Sequence, residues 1–142
     1  MANDKSIHFF KEGVRFRLNK QSELLVWLKA TARKESHKIR TLNYIFCSDS
    51  YLLEMNKNYL NHNYFTDIIT FDNSIEKKIL EGDIFISVDT ISKNAKRFET
   101  SFDNELHRVM VHGLLHLLGY KDKTEKDKKK MRIIEDKYLA QF

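Results

Sequence analysis

His112 and His116, four residues apart and followed at a fixed offset by Asp122, are the side chains in this sequence whose types and spacing can do chemistry. On a helix, positions i and i+4 lie one turn apart on the same face. The two imidazoles can therefore converge on one ion at the ~2.0–2.1 Å that zinc requires. Gly119 allows a sharp turn after the second histidine, which can bring Asp122 back as a third ligand. Three protein ligands leave one tetrahedral position open, the pattern of a catalytic zinc. A histidine pair at this spacing also arises by chance. Here the flank Val109, Met110, Leu114 and Leu117 would bury the helix against a core, and a polar face held there needs a partner.

The residue after the first histidine decides against one chemistry. Zinc peptidases of the His-Glu-x-x-His type place a general base there, and this chain has Gly113. The metal platform survives without that proton acceptor, although a third ligand six residues past the second histidine is shared with longer zinc motifs. From these residues alone the expectation is a metal-dependent hydrolase.

The elements that must carry this constellation can be outlined from periodicity. Residues 7–18 alternate like strand pieces broken by Gly13, and Asn19 is placed to cap a helix reaching about residue 34 with Leu24, Trp27, Leu28 and Thr31 on one face. Residues 41–47 read as a strand around Leu42, Tyr44 and Phe46. Ser48 or Asp49 caps a short helix through Tyr59. Residues 61–65 read as a loop, 68–71 as a buried strand, 72–81 as a turn or long hairpin loop, and 83–87 as a strand. Helices follow at about 89–98 and 103–118, the second ended by Gly119. Thr124 starts a last helix toward Leu139 with Met131, Ile134 and Leu139 as its apolar stripe. The order implies one α+β domain over residues 1–142, a mixed sheet of about four strands with helices packed on it.

Composition is permissive. A chain of 142 residues with net charge +5 allows a nucleic-acid partner without demanding one. The basic residues Lys121, Lys123, Lys126, Lys128, Lys129, Lys130 and Arg132 crowd one stretch, interrupted by Asp122, Glu125 and Asp127. Such a run is commonly a solvated helix face, and it can also form a phosphate-attracting rim. No apolar run approaches a membrane span, and the polar first residues lack a secretory signal, so a cytoplasmic protein is expected. The single cysteine, Cys47, cannot form an internal disulfide and reads as a buried hydrophobe. His8, His37 and His107 have no evident partners, and His62 in the 61–65 loop reads as a surface residue.

With these residues in view, the sequence resembles the YbeY family. The segment from His112 to Asp122 (His-Gly-Leu-Leu-His-Leu-Leu-Gly-Tyr-Lys-Asp) is similar to the family's His-Gly-x-Leu-His-Leu-x-Gly-Tyr-Asp-His. Upstream, Thr66-Asp67-Ile68-Ile69-Thr70-Phe71 is similar to its Thr-Asp-Val-Leu-Ser-Phe. Gly82-Asp83-Ile84-Phe85-Ile86-Ser87 is similar to its Gly-Asp-Ile-x-Ile-Ser, and Asn56 and Tyr59 match its Leu-Asn-x-x-Tyr/Phe-Arg stretch.

The resemblance implies a zincin-like arrangement, with the metal on the central helix of a small helix-covered sheet. It implies single-strand endoribonuclease activity in rRNA maturation, at the 3′ end of 16S rRNA, and in ribosome quality control. The partners would be rRNA and the small ribosomal subunit, with no membrane and no DNA. Lys121, Lys123 and Tyr120 become candidate RNA contacts, Tyr120 either stacking on a base or packing. Two departures stand out. Asp122 replaces the family's usual histidine ligand, which makes a zinc ion a weaker Lewis acid and tilts preference toward harder ions such as manganese. Leu60 stands at the family's arginine position and cannot contact a phosphate, so another cation must serve or activity falls. The catalytic proton carrier stays unassigned, as does the choice between water and the RNA 2′-hydroxyl as nucleophile. The competing readings are a ribosome-associated RNA-binding module with a structural metal, and a zinc hydrolase of another class.

Overall fold

A computed structural model describes residues 5–60 and 66–142 of the chain. The 61–65 loop, His62 included, lies outside the described residues. Strand β1 (Ile7–Glu12) leads through helix α1 (Gln21–Lys34) to β2 (Lys38–Cys47). Helix α2 (Asp49–Leu60) precedes β3 (Ile68–Asp72) and β4 (Ile79–Ser87). Three helices close the chain: α3 (Val88–Arg97), α4 (Phe102–Leu117) and α5 (Glu125–Leu139).

The strands form a mixed four-stranded sheet in the order β1-β2-β4-β3. β1 runs parallel to β2 and β2 parallel to β4, while β3 lies antiparallel on the edge beside β4. Alternation sorts the side chains onto two faces. Leu42, Tyr44 and Phe46 of β2 and Leu80, Ile84 and Ile86 of β4 face the main core, together with Leu24, Trp27 and Leu28 of α1 and Leu106, Met110, Leu114 and Leu117 of α4. On the other face Cys47 and Ile69 meet Leu52 of α2 in a smaller cluster.

Strands β2 and β4 run longer than their apolar centres suggest. β2 begins at Lys38, and β4 begins at Ile79, inside the span expected to be a loop. Exposed or half-exposed Lys38, Arg40 and Glu81 mask the alternation with buried Ile39 and Leu80, and the two stretches pair with each other across a register shift. The start of α1 also departs from expectation. Lys20, in the left-handed conformation with φ 58°, occupies the cap position and no side chain caps the helix, so Asn19 does not serve there. Elsewhere the expected caps hold. Ser48 accepts a hydrogen bond from the Tyr51 amide at 3.2 Å. Thr124 and Asp127 form a reciprocal capping box at α5.

Helix α4 can approach the sheet closely because of two glycines. A Cβ on Gly113 would lie 2.9 Å from both Ile68 Cδ1 and Ile84 Cγ2, and one on Gly82 would lie 2.7 Å from the Phe71 carbonyl oxygen and 3.0 Å from Leu117 Cδ1. Ser87 ends β4, and its hydroxyl accepts from the Thr90 amide to cap α3. Cys47 is a buried free thiol, as expected, and burial first, then Asp49 and Asp89, pushes its pKa up to about 12.

Candidate metal centre

The stripe of α4 that turns away from the sheet carries Glu105, Arg108, His112 and His116, spaced three or four residues apart. The helix then ends in a Schellman motif. Gly119 takes φ 109°, its amide donates to the His116 carbonyl at 3.0 Å, and the Tyr120 amide reaches back to the Leu115 carbonyl at 3.0 Å. This reversal carries Asp122 back toward the histidines. His112 Nε2 lies 3.0 Å from His116 Nε2 and 3.5 Å from Asp122 Oδ2. The ligand atoms of the three residues all fall within 4.8 Å of one another.

Those separations suit a metal. Two donors each ~2.0–2.1 Å from a tetrahedral ion stand about 3.3 Å apart, and 3.0 and 3.5 Å bracket that spacing. Two imidazole nitrogens and a carboxylate oxygen form a borderline-to-hard donor set, which zinc accepts and manganese tolerates.

His112 is oriented from behind. His112 Nδ1 lies 2.6 Å from Glu135 Oε2 on α5, so Nδ1–H donates to that carboxylate and the Nε2 lone pair faces the triad. Glu135 is 5 % exposed, and its second oxygen accepts from Arg108 Nη1 at 3.0 Å, while Arg108 Nη2 holds Asp136 at 2.7 Å. Burial depresses the pKa of His112, but the bond to Glu135 and the charges of Glu135, Asp122 and Asp67 outweigh it and leave the group raised. His116 moves the other way, lowered by burial and then by its neighbour His112. Asp67, at the entrance to β3, is raised by burial despite the opposing pull of His112.

The other candidate residues fall in distinct places. Lys121 and Lys123 are exposed on the turn that bears Asp122. The Tyr120 hydroxyl donates to Glu35 Oε1 at 2.8 Å, its ring packs against the core, and Lys130 Nζ lies 5.7 Å from the ring centroid. A cavity of about 240 Å³ beside them is lined by Gly119, Tyr120, Lys121, Asp127 and Lys130. Leu60 is the last residue of α2. Gly113 is not the vacated seat of a general base, because any side chain there would enter the sheet. The other described histidines have partners that the sequence did not reveal. His8 Nδ1 meets Asn43 Oδ1 at 3.0 Å, His37 Nδ1 meets the Glu35 carbonyl at 2.7 Å, and His107 packs on Trp27 and Phe142.

A family model described as Endoribonuclease YbeY matches residues 8–142. The chain belongs to the YbeY endoribonuclease family. It is 53% identical over 137 residues to Endoribonuclease YbeY of Cytophaga hutchinsonii, covering 96% of each chain. It is 47% identical to that of Karelsulcia muelleri, covering 94% of this chain and 93% of the other. The solution structure of TM1509 from Thermotoga maritima superposes with a TM-score of 0.64 at 29% identity, over 94% of this chain and 86% of that one. No helix among the described residues is long and apolar enough to cross a membrane.

Proposed function

We propose that the chain is one domain over residues 1–142 that cuts single-stranded RNA with a divalent ion held by His112, His116 and Asp122. The observation that carries this reading is the convergence of three donors in a YbeY family member. The donor set favours zinc, one ion per chain, with manganese as the harder alternative. When bound, the ion supplies Lewis acidity toward a scissile phosphate and toward a water at the open position.

The chain's own residues do the rest. Glu135 keeps the His112 proton on Nδ1, and the turn closed by the Gly119 amide on the His116 carbonyl brings Asp122 to the pair. Lys121 and Lys123 flank Asp122, offset its charge and stand where RNA phosphates would pass. Together with Lys130 they supply the cations that Leu60 does not. The substrate we infer is the 3′ end of small-subunit rRNA, processed in the cytoplasm on the ribosome.

The test compares wild type with His112→Ala, His116→Ala and Asp122→Ala for bound metal and for cleavage of a single-stranded RNA oligonucleotide. One equivalent of metal and cleavage, both lost in all three variants, supports the reading. Product ends bearing a 2′,3′-cyclic phosphate assign the 2′-hydroxyl as nucleophile. RNA bound but uncut by the metal-loaded wild type identifies a binding module instead, and absence of metal uptake overturns the site.

A further inference from the structure

Glu35 lies far from the metal-binding motif in sequence, at the C-terminal cap of α1. Its carboxylate joins two tyrosines from different parts of the chain. Oε1 accepts from the Tyr120 hydroxyl at 2.8 Å, and Oε2 accepts from the Tyr138 hydroxyl of α5. Burial and the bond to Glu35 raise both phenols, Tyr120 to about 12, so both remain donors at neutral pH.

The two tyrosines do different work. Tyr138 is fully buried in the core, where its carbonyl also accepts from Trp27 Nε1 at 2.8 Å. Tyr120 belongs to the turn after α4, whose amides close on the His116 and Leu115 carbonyls and which reaches Asp122 two residues later. Gly119, exposed and at φ 109°, gives that turn no side-chain anchor of its own. The exposed Lys121 and Lys123 on either side of Asp122 give it none in the core either. The Tyr120 side chain is therefore the strut between the turn and the rest of the fold, and Glu35 is its fixed end.

We propose that Glu35 is a positioning residue for the metal centre, acting through Tyr120 to hold His116 and Asp122 in register. This rests on the reading of His112, His116 and Asp122 as the ligands. A mobile turn would leave the histidine pair able to bind an ion but with the third ligand poorly placed, so the cost falls on affinity and coordination geometry. Groups that orient metal ligands from outside the first coordination sphere typically contribute roughly 10–100-fold in affinity, and a contact one step further out belongs at the lower end.

The experiment titrates Co2+ into metal-free full-length protein and follows its d–d absorption, with the melting temperature of the metal-free protein measured in parallel. The variants are Glu35→Ala, Tyr120→Phe and Tyr138→Phe. The first two are expected to bind Co2+ about tenfold more weakly and with a changed spectrum. Tyr138→Phe breaks the other bond to the same carboxylate, so it is expected to lower the melting temperature while keeping affinity within about twofold of wild type. If Glu35→Ala does not fold, Tyr120→Phe, which removes one hydroxyl, decides alone. Unchanged Co2+ binding in Tyr120→Phe overturns the proposal, as does equal weakening in Tyr138→Phe, which would mark general destabilisation. A wild type that takes up no Co2+ overturns the metal centre itself and this proposal with it, whereas normal wild-type binding confines any failure to Glu35.

Discussion

Glu135 Oε2 stands 2.6 Å from His112 Nδ1, joining α5 to α4 on the far side of the ring from the nitrogen that meets His116 and Asp122. The contact settles which tautomer His112 adopts and ties the last helix to the site. It also places a buried carboxylate between an imidazole and the Arg108 guanidinium, so each of its oxygens has a donor.

Glu135→Gln is expected to weaken metal binding by about tenfold or more, because the amide holds the His112 proton less strongly. Breaking a buried ion pair costs roughly 3–5 kcal/mol. We expect the low end, about 3 kcal/mol, since Arg108 keeps Asp136. Metal titration and urea unfolding of the metal-free protein measure the two effects separately.

Asp122→His restores the ligand usual in the family. It is expected to keep one equivalent of metal while raising the preference for zinc over manganese, because imidazole is the softer donor. Competitive loading with both ions, followed by metal analysis, reads the ratio. Metal content indifferent to residue 122 would move the third ligand elsewhere.

How far the sequence reached is clearest at α4. His112, His116, Gly119 and Asp122 were legible because their relation is local, a helix period followed by a glycine turn. Thr124 was legible for the same reason. Glu135 was not. It sits 23 residues from His112 on another helix, and in the sequence it reads as one more charge beside an apolar stripe. That stripe was placed on Met131, Ile134 and Leu139. The innermost residues of α5 are Met131, Glu135 and Tyr138, with Ile134 and Leu139 only partly covered. Periodicity finds a buried face only when that face is apolar, and this one carries a carboxylate because Arg108 and His112 await it. Asn19 misled for the opposite reason: it is a good capping residue at a helix start that uses backbone geometry instead.

Gly113→Ala is expected to destabilise the protein. A methyl group there meets Ile68 and Ile84 at 2.9 Å. Overpacking costs about 1–3 kcal/mol and alanine returns about 1 kcal/mol to the helix, so a net loss of up to about 2 kcal/mol should appear in urea unfolding. A stabilised variant would show that the helix stands further from the sheet than described.

Cys47 should be chemically silent in the folded protein. It is fully buried and its pKa is pushed up to about 12. At pH 8, near the usual thiol range, an aromatic disulfide reagent is expected to leave the native protein unmodified and to titrate one thiol per chain in denaturant. Rapid reaction of native protein would reveal opening of the sheet face beneath α2.

The contact of Gly113 with Ile68 and Ile84 also bears on what this helix can become. A single codon change could write glutamate after the first histidine and complete, on paper, the peptidase motif. In this fold that carboxylate would be driven into apolar β3 and β4, with no water to receive its charge and no line to the ion. The two kinds of histidine helix are thus not neighbours in evolution or in design, however similar their histidines look. Passing from one to the other requires lifting the helix off its sheet and rebuilding the core beneath it.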